Sequence, residues 1–133
     1  MAKIGLTQSS QSHADIIALS SDITTVTVTV ANGASLSGVT ADLAGNALVG
    51  FKCDAAWDTN IVSFQGDLTA TVLNLYSEGV EYVIPGVIAS TYQAVDPVVF
   101  LGCRYLKVRS GTAGVPVNQA GDSIVTLYLR AIQ

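Results

Sequence analysis

The chain has 133 residues and a formal net charge of −4; half of its residues are hydrophobic and only 12% are charged. The length is that of one domain with a single core. The charged fraction is about half the ~25% of an ordinary soluble domain, too little to solvate the whole surface of a lone monomer. Much of the surface is therefore expected to be covered by other subunits. Six basic residues in an acidic chain exclude a clustered cationic surface for nucleic acid.

The N-terminal MAKIGLTQSSQSHAD has no apolar h-region, so assembly in the cytoplasm is expected. Residues Met1–Ser21 are Gln-, Ser- and Ala-rich and form an expected arm, with a short helical turn over Ala14–Leu19. A sandwich domain over 22–133 follows. The uncharged run Ile23–Ala41 is broken by Asn32, Gly33 and Gly38, which excludes a membrane helix.

From Ile23 the period becomes two. Val26, Val28 and Val30 alternate with Thr25, Thr27 and Thr29, which predicts a half-buried strand ending at an Asn32–Gly33 turn. Ala47–Cys53 predicts a strand with Val49, Phe51 and Cys53 on one face and Lys52 on the other. Asn60–Gln65 turns Val62 and Phe64 inward and closes at Gly66–Asp67; Leu68–Tyr76 predicts the next strand, ending in a Ser77–Gly79 turn. Glu81–Ile84 precedes a Pro85–Gly86 turn, and Val87–Gln93 and Pro97–Leu101 are expected as short extended pieces. Gly111–Gly121 is a long loop. Ser123–Ala131 is the last strand, with Val125, Leu127 and Leu129 inward and Thr126, Tyr128 and Arg130 outward. The fold class that results is all-β: an antiparallel β-sandwich or jelly roll of about eight strands with an extended N-terminal arm.

In FLGCRYLKVRSGT (100–112), Leu106 and Val108 share one face while Tyr105, Lys107 and Arg109 share the other. Arg104 stands at the strand's entrance, within reach of solvent. Two cations on a wet face discourage edge pairing. This charged stretch reads as a solvated or interface face, with no ligand site required.

The strand R-Y-L-K-V-R resembles a late strand of galactose-binding, discoidin-like jelly rolls. Ala55–Ile84 (AAWDTNIVSFQGDLTATVLNLYSEGVEYVI) and Cys103–Arg130, with its SGT…PVNQ loop, resemble small phage and prophage virion proteins. The resemblance runs over roughly residues 23–131. It departs at Gln65-Gly66-Asp67-Leu68, shorter than the Ser-x-Asp-Gly turn of the discoidin-like modules. What it implies is a capsid decoration or cement protein that binds a major capsid protein and copies of itself as a homotrimer at the capsid surface.

Catalytic chemistry finds few residues. The single histidine, His13, lies in the arm, and no nucleophile elbow or phosphate loop occurs. Asp54, Asp58, Asp67, Glu78 and Glu81 are scattered turn acids, expected as caps. Cys53 and Cys103 with His13 supply too few ligands for zinc, and as isolated cysteines they are expected to be buried free thiols. No cofactor is expected. Trp57, in an apolar AAW context, is expected to anchor the core. Tyr105 and Tyr128 suit an inter-subunit surface better than a glycan platform, a receptor- or glycan-binding module of a tail or head fibre being the alternative function. The expected contact residues are Ile4, Leu6, Ile16, Ile17 and Leu19 of the arm with Tyr105, Lys107, Arg109 and Tyr128 of the sandwich.

Overall fold

The computed structural model describes residues 18–132. Eleven strands form in chain order: β1 Thr24–Val30, β2 Ala41–Asp42, β3 Asn46–Cys53, β4 Ile61–Asp67, β5 Leu73–Asn74, β6 Tyr76–Ser77, β7 Val80–Glu81, β8 Val83–Pro85, β9 Tyr92–Ala94, β10 Tyr105–Ser110 and β11 Ser123–Ala131. One sheet has the order β1-β11-β3-β9, and the facing sheet has β2-β10-β4-β5 with β8 also on β4. All the pairings are antiparallel.

The pairings are nested: β1 with β11, β2 with β10, β3 with β9 and β4 with β8. The chain therefore behaves as one long hairpin folded over on itself, which is the jelly-roll topology. Its core lies between the two sheets. Val28 and Val30 of β1 pack there with Phe51 and Cys53 of β3, Val62 and Phe64 of β4, Leu106 and Val108 of β10, and Val125, Leu127 and Leu129 of β11. Phe64 is its aromatic centre, with ring centroids 5.9 Å from Phe51 and 5.2 Å from Phe100. Trp57 is buried in the same core.

Several expected elements differ. Leu48, not Val49, faces the core, because a bulge opposite Tyr128–Leu129 skips Val49 and reverses the parity at that end of β3. Leu68–Tyr76 is not one strand: the Asp67 carboxylate accepts the Leu68 and Thr69 N–H groups and turns the chain, leaving only β5 and the start of β6. Val87–Gln93 contains a turn at Ala89–Ser90, with Ser90 at φ 61°. Pro97–Phe100 is a 3-10 helix rather than extended, with Asp96 accepting the Val98 N–H as N-cap and Pro97 setting the first φ. The two-residue β2 had no pattern to announce it.

The helical turn expected over Ala14–Leu19 falls mostly outside the described residues, as do Ile4, Leu6, Ile16 and Ile17. Leu19 itself is extended: it bridges Ile132, and the Ser20 N–H donates to the Ala131 carbonyl at 2.9 Å. Backbone pairing thus reaches back past Ser21 into the expected arm.

Candidate interaction surfaces

The residues Tyr105, Lys107 and Arg109 do share the outer face of β10, as their alternation dictates, but they do not share an environment. Tyr105 and Lys107 are half-buried, whereas Arg109 is 6% exposed. The expectation that Arg109 lies on a wet face is therefore wrong. The β6–β7 hairpin folds over that end of the sheet, turning through Glu78 and Gly79, both at positive φ (54° and 80°). Glu81 from this hairpin accepts from Arg109 Nη1 at 3.3 Å and from the Ala113 N–H at 2.9 Å. Arg109 Nη2 donates to Asn74 Oδ1, and Nη1 also reaches Ser63 Oγ at 3.4 Å. One guanidinium thus ties β10 to β4, β5 and the hairpin, and Glu81 carries the tie on to Ala113 of the 111–117 loop. Both terminal nitrogens of Arg109 are engaged within the fold.

Tyr128 lies on the opposite outer face, that of the β1-β11-β3-β9 sheet, so it forms no common patch with Tyr105 and Lys107. Its partner there is Tyr92, edge-on with centroids 5.2 Å apart. Tyr92 crosses over Gly50, where a Cβ would come within 2.1 Å of the phenol oxygen, and its hydroxyl donates to the Val49 carbonyl at 3.2 Å. The aromatic ring fills the space above a glycine in mid-strand.

The acids are used locally. Asp54 accepts from Ser123 Oγ at 2.7 Å, from the Ile124 N–H at 2.9 Å and from the Ala56 N–H at 3.1 Å. Partial burial alone would raise its pKa, but these bonds outweigh it and hold the carboxyl below its ordinary range. Asp58 accepts the Ala120 N–H, and Asp122 the Asn32 N–H. Asp42 pairs with Arg104 at 3.2 Å and accepts the Ala44 N–H, the Arg104 hydrogen bond being the larger cause of its lowered pKa. These are turn and loop clamps. Among the described residues no three His, Cys, Asp or Glu side chains converge to hold a metal ion, and no helix is long and apolar enough to cross a membrane.

Both cysteines are buried free thiols, and burial pushes the Cys53 pKa up to about 12 and that of Cys103 upward as well. Neither has the electropositive, open setting of a reactive thiol.

What the surface does offer is apolar. Val39, Leu73, Tyr76, Val80, Ile88 and Val115 are each more than half exposed. Leu73, Tyr76 and Val80 come from β5 and the β6–β7 hairpin that covers Arg109. Sequence reasoning did not name Leu73 or Val80 as contact residues, because it placed Leu73 within one continuous strand, Leu68–Tyr76, and Val80 between a turn and the next strand. Comparison with known protein families, curated proteins and solved structures finds no match to this chain.

Proposed function

We propose that this chain is a non-enzymatic structural protein of a phage virion, a decoration or cement protein that braces the major capsid shell and associates with copies of itself as a trimer. The observation that carries the reading is the exposed apolar set Leu73, Tyr76 and Val80, from β5 and the β6–β7 hairpin, on a domain with few charges. Exposed apolar side chains on elements this close in the chain favour a permanent partner over open water. The jelly roll is a recurrent fold of viral shell proteins, and the resemblance of Ala55–Ile84 and Cys103–Arg130 to phage virion proteins points the same way. Asp42, Asp54, Asp58, Asp67, Asp96 and Asp122 serve as turn and loop clamps, and Glu81 pairs with Arg109. The two cations on β10 are divided between that buried clamp, Arg109, and an outer-face position, Lys107. Neither set supports catalysis or a phosphate-binding surface.

A glycan-binding module is the second reading, and the Tyr92–Tyr128 pair on an outer sheet face is the observation in its favour. That pair is also explained by the cover it gives Gly50. Sedimentation velocity of the purified protein at micromolar concentration, with and without phage heads stripped of it, tests the main reading. A trimer that co-sediments with the heads supports it. A monomer that stays in the supernatant overturns it.

A further inference from the structure

Among the described strands, one long sheet edge is unprotected. The edge strands β2, β5, β8 and β9 are each two or three residues long, and β8 ends in Pro85. At the far end of its sheet, β1 runs for seven residues, TTVTVTV, with no charge, no proline and no bulge in its register with β11. Shortness, charges, prolines and bulges are the devices that keep an edge from pairing with another chain. β1 has none of them.

Two hydrogen bonds fix which of its backbone groups face outward. The Asp54 N–H, just beyond β3, donates to the Ile124 carbonyl at 3.0 Å, so Ile124 points toward β3 and away from β1. Thr29 is the register partner of Ile124 and therefore points away from β11; its carbonyl accepts the Gly38 N–H at 3.3 Å on that outer side. Alternation turns Thr25 and Thr27 the same way. No described residue bonds their N–H or C=O groups, and both side chains are exposed.

We propose that β1 pairs antiparallel with β1 of a second copy of this chain, about a two-fold axis at Val26. The strand is its own complement in that register. Thr25 exchanges both backbone bonds with Thr27 of the second copy, and Thr27 does so with Thr25 of the second copy. Val26 meets its own counterpart on the core side, where it already packs against the buried cluster, so the apolar row runs on from one sandwich into the next. On the outer side threonine faces threonine, a favourable cross-strand pair. A register centred on Thr27 would need the Thr29 carbonyl, which Gly38 occupies. A two-fold contact cannot close a trimer, so this one joins trimers to each other and goes beyond the reading above.

The test is disulfide trapping in the full-length protein, with the buried native thiols left in place. Across a non-hydrogen-bonded antiparallel pair the Cα atoms lie about 4.5 Å apart, within disulfide reach. Under mild oxidation Val26→Cys should link two chains at about ten times the yield of Thr24→Cys, whose copies would stand roughly 14 Å apart in this register. Equal yields overturn the inference. A charge swap in the Val26→Cys protein checks the register. Adding Thr25→Lys with Thr27→Lys sets like charges opposite each other and should cut the yield about tenfold, whereas Thr25→Lys with Thr27→Glu sets opposite charges there and should restore it. The same yield from both also overturns the inference. A trimer that binds phage heads but forms no Val26 link would sink this proposal and leave the virion reading standing; a Val26 link in a protein that does not bind heads would do the reverse.

Discussion

The Arg109 guanidinium lies 3.3 Å from the Glu81 carboxylate, beneath a hairpin that the sequence places 28 residues upstream of it. Both side chains are largely withdrawn from water, at 7% and 16% exposure. Removing one partner of such a pair leaves the other charged and desolvated. Arg109→Ala is expected to destabilise the fold by about 3–5 kcal/mol in urea unfolding. Glu81→Gln should cost less, because its amide oxygen still accepts the Ala113 N–H. By contrast Asp42→Asn, at the exposed Arg104 pair, should leave the unfolding midpoint essentially unchanged. Equal effects at the two pairs would show that the hairpin does not shield Arg109.

Two glycines separate side-chain from backbone constraint. At Gly50 an added Cβ meets the end of the Tyr92 side chain, which can swing out into solvent. Gly50→Ala is therefore expected to cost only about 1 kcal/mol, the worth of the lost hydrogen bond to Val49, and to free the Tyr92 ring. At Gly111, with φ at +89°, the Cβ would come within 2.5 Å of the Val115 carbonyl oxygen, which is backbone. Gly111→Ala should cost roughly 3 kcal/mol. Denaturant titration of the two variants checks the order.

How much of this was written in the sequence depends on the range of the interaction. The Val–Thr alternation of β1 and the Ser123–Ala131 strand were legible because period two and burial are properties of neighbouring residues. The inward facing of Phe64 and the core place of Trp57 were legible for the same reason. Arg109 was misread because its face was correct but its cover comes from Asn74 and Glu81, and nothing local to RYLKVR marks a hairpin lying over it. The signal that was available is Glu78–Gly79, a pair suited to a tight two-residue turn between Tyr76 and Glu81. Val49 was misassigned because a bulge is set by the partner strand, here at Tyr128–Leu129. The apolar contacts expected at Ile4, Leu6, Ile16 and Ile17 rest on sequence alone.

The buried thiols give an alkaline signature. In the folded chain burial holds Cys53 protonated up to about 12, against 9.0 for an unhindered thiol. Between these values the unfolded chain loses a proton that the folded chain keeps, so this contribution to stability is intact below pH 9.0 and declines as pH rises toward about 12. Cys53→Ala is expected to flatten that decline. A stability profile between pH 8 and 11 as steep in the variant as in the parent would contradict the assignment.

Acid works in the opposite sense at Asp54. Its folded pKa is lowered, so its stabilising effect is present above the ordinary carboxylate range and is lost as pH falls through the folded value. Asp54→Asn keeps an oxygen acceptor but removes the charge, and should weaken the protein at neutral pH while making it less sensitive to acid. Thermal unfolding from pH 7 down to pH 2 checks this: the parent and variant midpoints should converge as the pH drops. Parallel curves would mean that Asp54 is not held ionised by Ser123 and Ile124.

The central claim, that this jelly roll braces a capsid shell through its exposed apolar residues, is tested most directly by locating the protein on the particle. Purified virions are labelled with gold-conjugated antibody against the chain and imaged by electron microscopy. Gold distributed over the whole head is the expected result. Gold confined to a tail tip or fibre, or particles that carry none, would contradict it.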